Sequence, residues 1–169
     1  MDATLPVIPA LPLTQQIKGF ITNPVWLSCI FSWLIAQFIK TGISLVYGRI
    51  HSLLELFENL LWKTGGMPSS HSALVTSLCV TIGFRHGLNS DVFVFALVFF
   101  FVVIRDAFGV RRSTGIQARK INELGKELKE KNVISEFKFL KEVLGHTPME
   151  VLCGCITGFF VGLAFSLLD

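Results

Sequence analysis

The distribution of charged residues limits this 169-residue chain more than any other feature, because four stretches contain no Asp, Glu, Lys or Arg. They are residues 19–39, 64–84, 92–104 and 151–168. A helix crosses the hydrocarbon core of a bilayer in about 20 residues. The pattern therefore predicts an all-α, multi-pass membrane bundle with four main spans. Residues 92–104 are too few to cross a bilayer alone, so we expect this span to include neighbouring residues. Charged residues make up only 16% of the chain, against about 25% in typical globular proteins, which argues against a soluble fold.

The segments between these runs carry apolar residues at helical spacing. Leu53, Leu54 and Phe57 predict an interfacial amphipathic helix that ends at Trp62. Within the charged stretch 105–141, two apolar series predict two more amphipathic helical segments. These series are Ile121, Leu124 and Leu128, then Val133, Phe137, Leu140 and Leu144. We therefore expect a single membrane domain over residues 1–169, with a charged helical cytoplasmic segment at about 105–145.

The last run carries glycines at four-residue spacing, Gly154, Gly158 and Gly162. This small-x-x-x-small pattern lets membrane helices approach backbone to backbone. It predicts that Gly158 faces another helix at close range, and it offers a seam for a homo-oligomer.

The positions of the Lys and Arg residues predict the topology. Thirteen of the 15 lie either between the first and second runs or between the third and fourth. Under the positive-inside rule these two loops are cytoplasmic and both termini lie on the opposite side.

The ionisable residues nearest the four runs collect at one end of the predicted bundle. They are Lys40, His71, Asp106, Arg111, Arg112, His146 and Glu150. Ionisable groups at membrane depth usually face the bundle interior. Their convergence indicates a site that binds an anion and moves protons.

Several of these residues also have a purely structural interpretation. Thr147, Pro148 and Glu150 form a helix capping box, while the spacing from His146 to Glu150 equally suits a carboxylate that orients an imidazole. His71 fits an interfacial histidine as well as a catalytic one. The preceding Gly-Gly turn, with Ser69 and Ser70 at a helix start, favours phosphate binding nearby. Arg111 and Arg112 serve either as topology signals or as phosphate ligands.

Three ordered segments resemble the divergent branch of the type 2 phosphatidic acid phosphatase superfamily, which is related to vanadium-dependent haloperoxidases. They are residues 65–73 (GGMPSSHSA), 105–118 (RDAFGVRRSTGIQA) and 144–151 (LGHTPMEV). The resemblance covers nearly the whole chain from about Asn23 onward. It implies that His146 attacks phosphorus, that His71 protonates the leaving group and that Glu150 orients His146.

The chain departs from the superfamily pattern at four places. Ser70 replaces the glycine of Pro-Ser-Gly-His, and Glu150 replaces the closing Asp. Lys40 is not followed by the Arg-Pro pair of the first motif, and Leu140 stands where the third motif has an Arg. The phosphate-binding cations therefore come from elsewhere, and we assign them to Arg111, Arg112 and Lys40, with Ser69 and Ser70 as further phosphate ligands and Asp106 in support.

The expected function is metal-independent hydrolysis of a lipid phosphate or polyprenyl diphosphate through a phosphohistidine, with no cofactor and no nucleic-acid partner. The altered first and third motifs support the alternative of a non-enzymatic membrane protein. Such a protein would keep the anion pocket to bind phospholipid headgroups or a partner.

Overall fold

A computed structural model describes residues 11–48, 52–61, 66–142 and 145–168, and within these ranges the chain is helical without any strand. The described residues form seven successive α-helices, with one π-helical turn, Asp106–Val110, between the fifth and the sixth. They are α1 (Leu13–Ile21), α2 (Pro24–Val46), α3 (Leu53–Leu61), α4 (Ser70–His86), α5 (Asp91–Arg105), α6 (Arg111–Glu130) and α7 (Pro148–Leu167). The all-α prediction is confirmed.

The first uncharged run includes the end of α1 and most of α2. Asn23 caps α2, with its side chain accepting a hydrogen bond of 2.9 Å from the amide of Val25, and Pro24 occupies the first helical position. α2 then continues to Val46, beyond the predicted end. Lys40, expected in the loop after this helix, therefore lies inside it and is buried.

α4 is the central helix and packs against α2, α5 and α7. Ser28 on α2 meets Thr81 on α4, with hydroxyl oxygens 3.0 Å apart, whereas Lys40 lies beside Gly66, so α2 and α4 run antiparallel. α4 and α7 run parallel, because successive glycines of α7 meet successive turns of α4. The amino-terminal ends of α4 and α7 therefore lie side by side.

The seam between α4 and α7 consists of the three glycines that the sequence singled out. A Cβ atom at Gly154 would overlap the carbonyl of Ser69, and one at Gly158 would overlap the carbonyl of Ala73. The prediction that Gly158 faces another helix at close range is confirmed. The partner is α4 of the same chain, whereas a homo-oligomer through this seam stays a prediction.

Most of the buried residues in this bundle are small, and many of them carry hydroxyls. An apolar cluster of Cys79, Ile82 and Ala96 lies toward the carboxyl end of α4. Elsewhere on α2 and α4 the buried positions include Ser28, Ser32, Ser72, Ser77 and Thr81. Small residues let membrane helices approach closely, and the hydroxyls of Ser and Thr form hydrogen bonds inside the bundle.

α5, the π-helical turn and α6 form one continuous helical run, so the charged residues Asp106, Arg111 and Arg112 do not end a helix as the sequence suggested. α3 confirms the predicted short helix, and its side chains Leu53, Leu54 and Phe57 are exposed. The predicted end at Trp62 lies outside the described residues.

The second amphipathic helix predicted in the charged stretch is wrong. Residues 131–142, which we call the return segment, are not helical and run back along α6. The buried Asn122 fixes the segment by donating to the carbonyl of Leu140 (2.9 Å) and accepting from its amide (2.8 Å). The charged segment at about 105–145 is thus helical only as far as Glu130.

Contacts with α6 explain why the return segment is not a helix. Asn122 takes up both the amide and the carbonyl of Leu140, which a helix would use for its own hydrogen bonds. The 20 residues of α6 span about 30 Å. Gly125 makes room for the return, since a Cβ atom there would overlap the ring of Phe137.

Two of the described helices, α2 with 23 residues and α7 with 20, are long and apolar enough to cross a membrane. α4 has 17 residues and α5 has 15, so neither reaches that length by itself. Four membrane spans are therefore not confirmed by helix length alone.

Candidate functional site

His146 is held between the π-helical turn and the start of α7. Its backbone amide donates to the carbonyl of Ala107 in the π-helical turn, at 3.1 Å. Its Nδ1 atom lies 3.1 Å from Oε2 of Glu150, with 12% of the His146 side chain and 22% of the Glu150 side chain exposed. An ionised carboxylate only accepts hydrogen bonds, so Nδ1 carries a proton in this contact, and a neutral ring then has its lone pair on Nε2.

Glu150 combines the two interpretations that the sequence left open. The Thr147 side chain accepts from the amide of Glu150 at 3.3 Å, and the Thr147 amide donates to Oε2 of Glu150 at 3.0 Å, which completes a capping box. The same Oε2 atom contacts His146. The cap therefore holds the carboxylate within hydrogen-bond distance of the imidazole, while an orienting role for Glu150 stays a prediction.

The segment proposed to cradle phosphate is attached to this helix start. The amide of Ser69 donates to the carbonyl of Glu150 at 2.9 Å. The Ser69 hydroxyl caps α4 and accepts from the hydroxyl of Ser72 at 2.9 Å. Ser69 and Ser70 are both buried. Ser69 thus joins the second and fourth uncharged runs, while phosphate binding by either serine stays a prediction.

Lys40 approaches the same segment from α2. Its side chain is 4% exposed, and its Cγ and Cδ atoms lie 3.6 and 3.7 Å from the position that a Cβ atom on Gly66 would occupy. Gly66 has a φ of +85°, a conformation that favours glycine. Gly65, the other glycine of this turn, lies outside the described residues.

The remaining predicted site residues surround this core at different levels of exposure. His71 follows the buried Ser70 in the first turn of α4, and its side chain is exposed. Asp106 is half-buried and precedes Ala107, whose carbonyl holds His146. The exposed Arg112 begins α6, and the side chain of Arg111 lies outside the described part of the chain. A common cavity for His71, His146 and one of these arginines stays a prediction.

The arrangement suits chemistry on an anion. Two parallel helices, α4 and α7, begin side by side, and helix starts favour negative charge through their dipoles and free amides. A basic imidazole nitrogen and a buried ammonium stand at the same end. Among the described residues no group of three or more His, Cys, Asp or Glu side chains could hold a metal ion.

Sequence reasoning missed three residues at this end of the bundle. Ala107 acts through its backbone carbonyl, and no side-chain pattern signals such a role. Gln37 and Thr41 are buried on the α2 face that carries Lys40. Their spacing of three and one residues from Lys40 places them on one face of a helix, and this was a signal available in the sequence.

The three motif segments therefore meet at one end of an all-α bundle, an arrangement consistent with the family that they resemble. The chain belongs to the Divergent PAP2 family, whose profile matches residues 21–161. It is 37% identical over 156 residues to the uncharacterized membrane protein YuiD of Bacillus subtilis (strain 168). That alignment covers 86% of this chain and 96% of the Bacillus protein. No solved structure matches the chain.

Proposed function

We propose that this protein is a multi-pass membrane phosphatase that hydrolyses a lipid phosphate or polyprenyl diphosphate through a phosphohistidine on His146. The observation that carries the proposal is the contact between Nδ1 of His146 and Oε2 of Glu150, together with the backbone bond that fixes His146 to Ala107. Membership of a phosphatase-related family supports the same chemistry.

Helix exposure supports the membrane part of the proposal. Only 39% of the apolar window of α2 and 28% of that of α7 are buried inside the protein, whereas the core helix of a soluble protein is mostly buried. α5 also exposes large apolar side chains, among them Phe95 and Phe101. α4 is about 26 Å long, and α5 with the π-helical turn is about 30 Å long, so both match a bilayer core. The relative YuiD is named as a membrane protein.

The first step is an in-line displacement at phosphorus. The lone pair on Nε2 of His146 forms a bond to phosphorus, and the bond from phosphorus to the ester or anhydride oxygen breaks. His71 gives a proton to the departing oxygen. Glu150 stabilises the positive charge that develops on the imidazole, while Lys40, Arg111 and Arg112 neutralise the phosphoryl oxygens.

The second step returns the enzyme to its starting state. Water attacks phosphorus, the phosphorus–nitrogen bond breaks, and inorganic phosphate leaves. The deprotonated His71 accepts the proton of the attacking water, as microscopic reversibility requires. The bonding electrons return to Nε2 of His146.

Phosphate release by the purified protein in detergent tests this function. A panel of lipid phosphates and polyprenyl diphosphates is compared for the wild type, His146→Ala and His86→Ala. His86 is an exposed histidine at the far end of α4, which makes it a matched control. We expect His146→Ala to lose at least about 10³-fold in rate, because no neighbouring group replaces a nucleophile, and His86→Ala to keep full activity.

Rapid quenching with radiolabelled substrate should also trap acid-labile, base-stable phosphate on the wild type only. Undiminished hydrolysis by His146→Ala would refute the mechanism. Lipid phosphate binding without any release by the wild type would instead support a non-enzymatic headgroup-binding protein.

A further inference from the structure

Polar atoms without partners lie inside the bundle next to Lys40. Among the described residues, three buried side-chain atoms lack a hydrogen-bond partner: Oε1 of Gln37, Oγ1 of Thr41 and Oγ of Ser77. Gln37 is 3% exposed and Thr41 is 6% exposed. Buried polar groups in proteins are almost always hydrogen-bonded, and an unpaired one loses the bonds that water supplied in the unfolded chain. Such atoms therefore indicate a missing partner.

Two of these atoms belong to the α2 face that also carries Lys40. Residues 37, 40 and 41 are separated by three and one positions, so they share one side of the helix. Lys40 lies against Gly66, and Ser69, three residues further on, bonds to Glu150 at the start of α7. Thr41 is thus level with the His146 end of the bundle, and Gln37 lies one helical turn deeper, about 5.4 Å.

The chemistry of the unpaired atoms limits what can bind there. Oε1 of Gln37 is an acceptor and needs an O–H or N–H donor, while the hydroxyl of Thr41 both donates and accepts. A cationic donor is disfavoured, because the ammonium of Lys40 is on the same buried face. A neutral hydroxyl group satisfies both atoms.

We infer that Gln37 and Thr41 bind hydroxyl groups on the alcohol part of the substrate, so that the preferred substrate class is a phosphate ester of a polyol. This inference rests on the proposed function, since it places the phosphate beside Lys40 and His146. Thr41 is then the nearer of the two side chains to the phosphate, and Gln37 lies about one helical turn deeper. A polyprenyl diphosphate has no such hydroxyl.

Binding of two soluble phosphates tests the inference without requiring turnover. Glycerol 3-phosphate and propyl phosphate share a phosphate and a three-carbon chain, and they differ only in two hydroxyls. Titration calorimetry on the wild-type protein in detergent should show glycerol 3-phosphate binding about 10-fold more tightly, the effect of one to two neutral hydrogen bonds. Equal affinities would overturn the inference.

Two nearly isosteric variants locate the preference. Gln37→Met and Thr41→Val each remove the unpaired atom and keep the shape, so each should reduce the 10-fold preference to about threefold or less while leaving the affinity for propyl phosphate unchanged. Ser32→Ala is the matched control, because Ser32 is fully buried on α2 and its hydroxyl already donates to Cys29 at 2.9 Å. A preference lost equally in Ser32→Ala would overturn the assignment to Gln37 and Thr41.

Thermal melting of the same variants separates a ligand from buried water. Removing atoms that lack partners should leave the melting temperature unchanged or raise it. If the melting temperature falls in both variants and the binding preference stays intact, buried waters are the partners and the inference is wrong.

Hydrolysis assays keep this inference distinct from the proposed function. Phosphate release that depends on His146 but is indifferent to hydroxyls overturns only the polyol preference. If the protein neither binds nor releases any phosphate, both the proposed function and the polyol preference are overturned.

Discussion

A single carboxylate oxygen at the start of α7 has two partners, the Thr147 amide at 3.0 Å and Nδ1 of His146 at 3.1 Å. The sequence predicted both contacts, because a capping box and a spacing of four residues are local patterns. It could not predict the Ala107 carbonyl that holds His146, since this contact joins residues far apart in the chain and involves no side chain. The contact between His146 and Glu150 could therefore be predicted from the sequence, but the backbone hydrogen bond that anchors His146 to Ala107 could not.

Glu150→Gln separates the two roles of this side chain. A glutamine also completes a capping box, so the free energy of unfolding should change by less than about 0.5 kcal/mol. A neutral amide does not stabilise an imidazolium, so phosphate release should fall by about 10²–10⁴-fold. The measurements are thermal or denaturant unfolding and initial rates in detergent.

Thr147→Ala serves as the converse control for that variant. It should lower stability by about 1 kcal/mol through loss of the cap while largely keeping activity. If Glu150→Gln instead unfolds the protein and keeps its rate in the folded fraction, Glu150 is a structural residue only.

At the scale of elements, α4 and α7 pack at backbone distance, while the return segment lies against α6 without being helical. The glycine spacing on α7 predicted a close approach, but such a pattern does not name its partner, which proves to be α4. The apolar periodicity at Val133, Phe137 and Leu140 predicted a helix that does not form. Local periodicity contains no information about tertiary contacts, and here Asn122 on α6 takes up the backbone groups of Leu140.

Gly158→Ala and Gly42→Ala form a matched pair that tests the seam. Both place a methyl group in a helix interior, a change that by itself favours the helix by up to about 1 kcal/mol. A Cβ atom at Gly158 overlaps the Ala73 carbonyl, whereas one at Gly42 meets no atom within 4 Å. Gly158→Ala should therefore destabilise the protein by about 1–3 kcal/mol, and Gly42→Ala should not. Equal melting temperatures in detergent would show that α4 and α7 are not in contact there.

At the scale of the whole molecule, the topology prediction depends on where the Lys and Arg residues lie. The structure moves Lys40 out of the loop where the sequence count placed it, because α2 extends past it to Val46. The ten Lys and Arg residues between the third and fourth uncharged runs lie at the end of α5, in α6 and in the return segment. Counting residues could not separate a topology signal from a buried cation, and the sidedness of these loops stays a prediction.

Cysteine labelling tests the orientation that these charges predict. In a chain without its four native cysteines, Lys126→Cys and Asn89→Cys each place one thiol at an exposed position, on α6 and in the turn before α5 respectively. A membrane-impermeant maleimide should label Asn89→Cys on intact cells and Lys126→Cys only after permeabilisation. The reverse result would invert the topology, and labelling of both on one side would show that α5 does not cross.

The bond between His146 and Ala107 also has a consequence for how this family can vary in length. α6 and the return segment leave the bundle and come back at neighbouring points, and the contact of Asn122 with Leu140 clamps them together partway along. Residues 123–139, beyond the contact of Asn122 with Leu140, thus form a projecting segment whose two ends are held together. Insertions and deletions there change the loop-closure entropy only slightly and leave the bundle geometry intact. A change in the length of this tip should therefore leave the histidine at its base undisturbed.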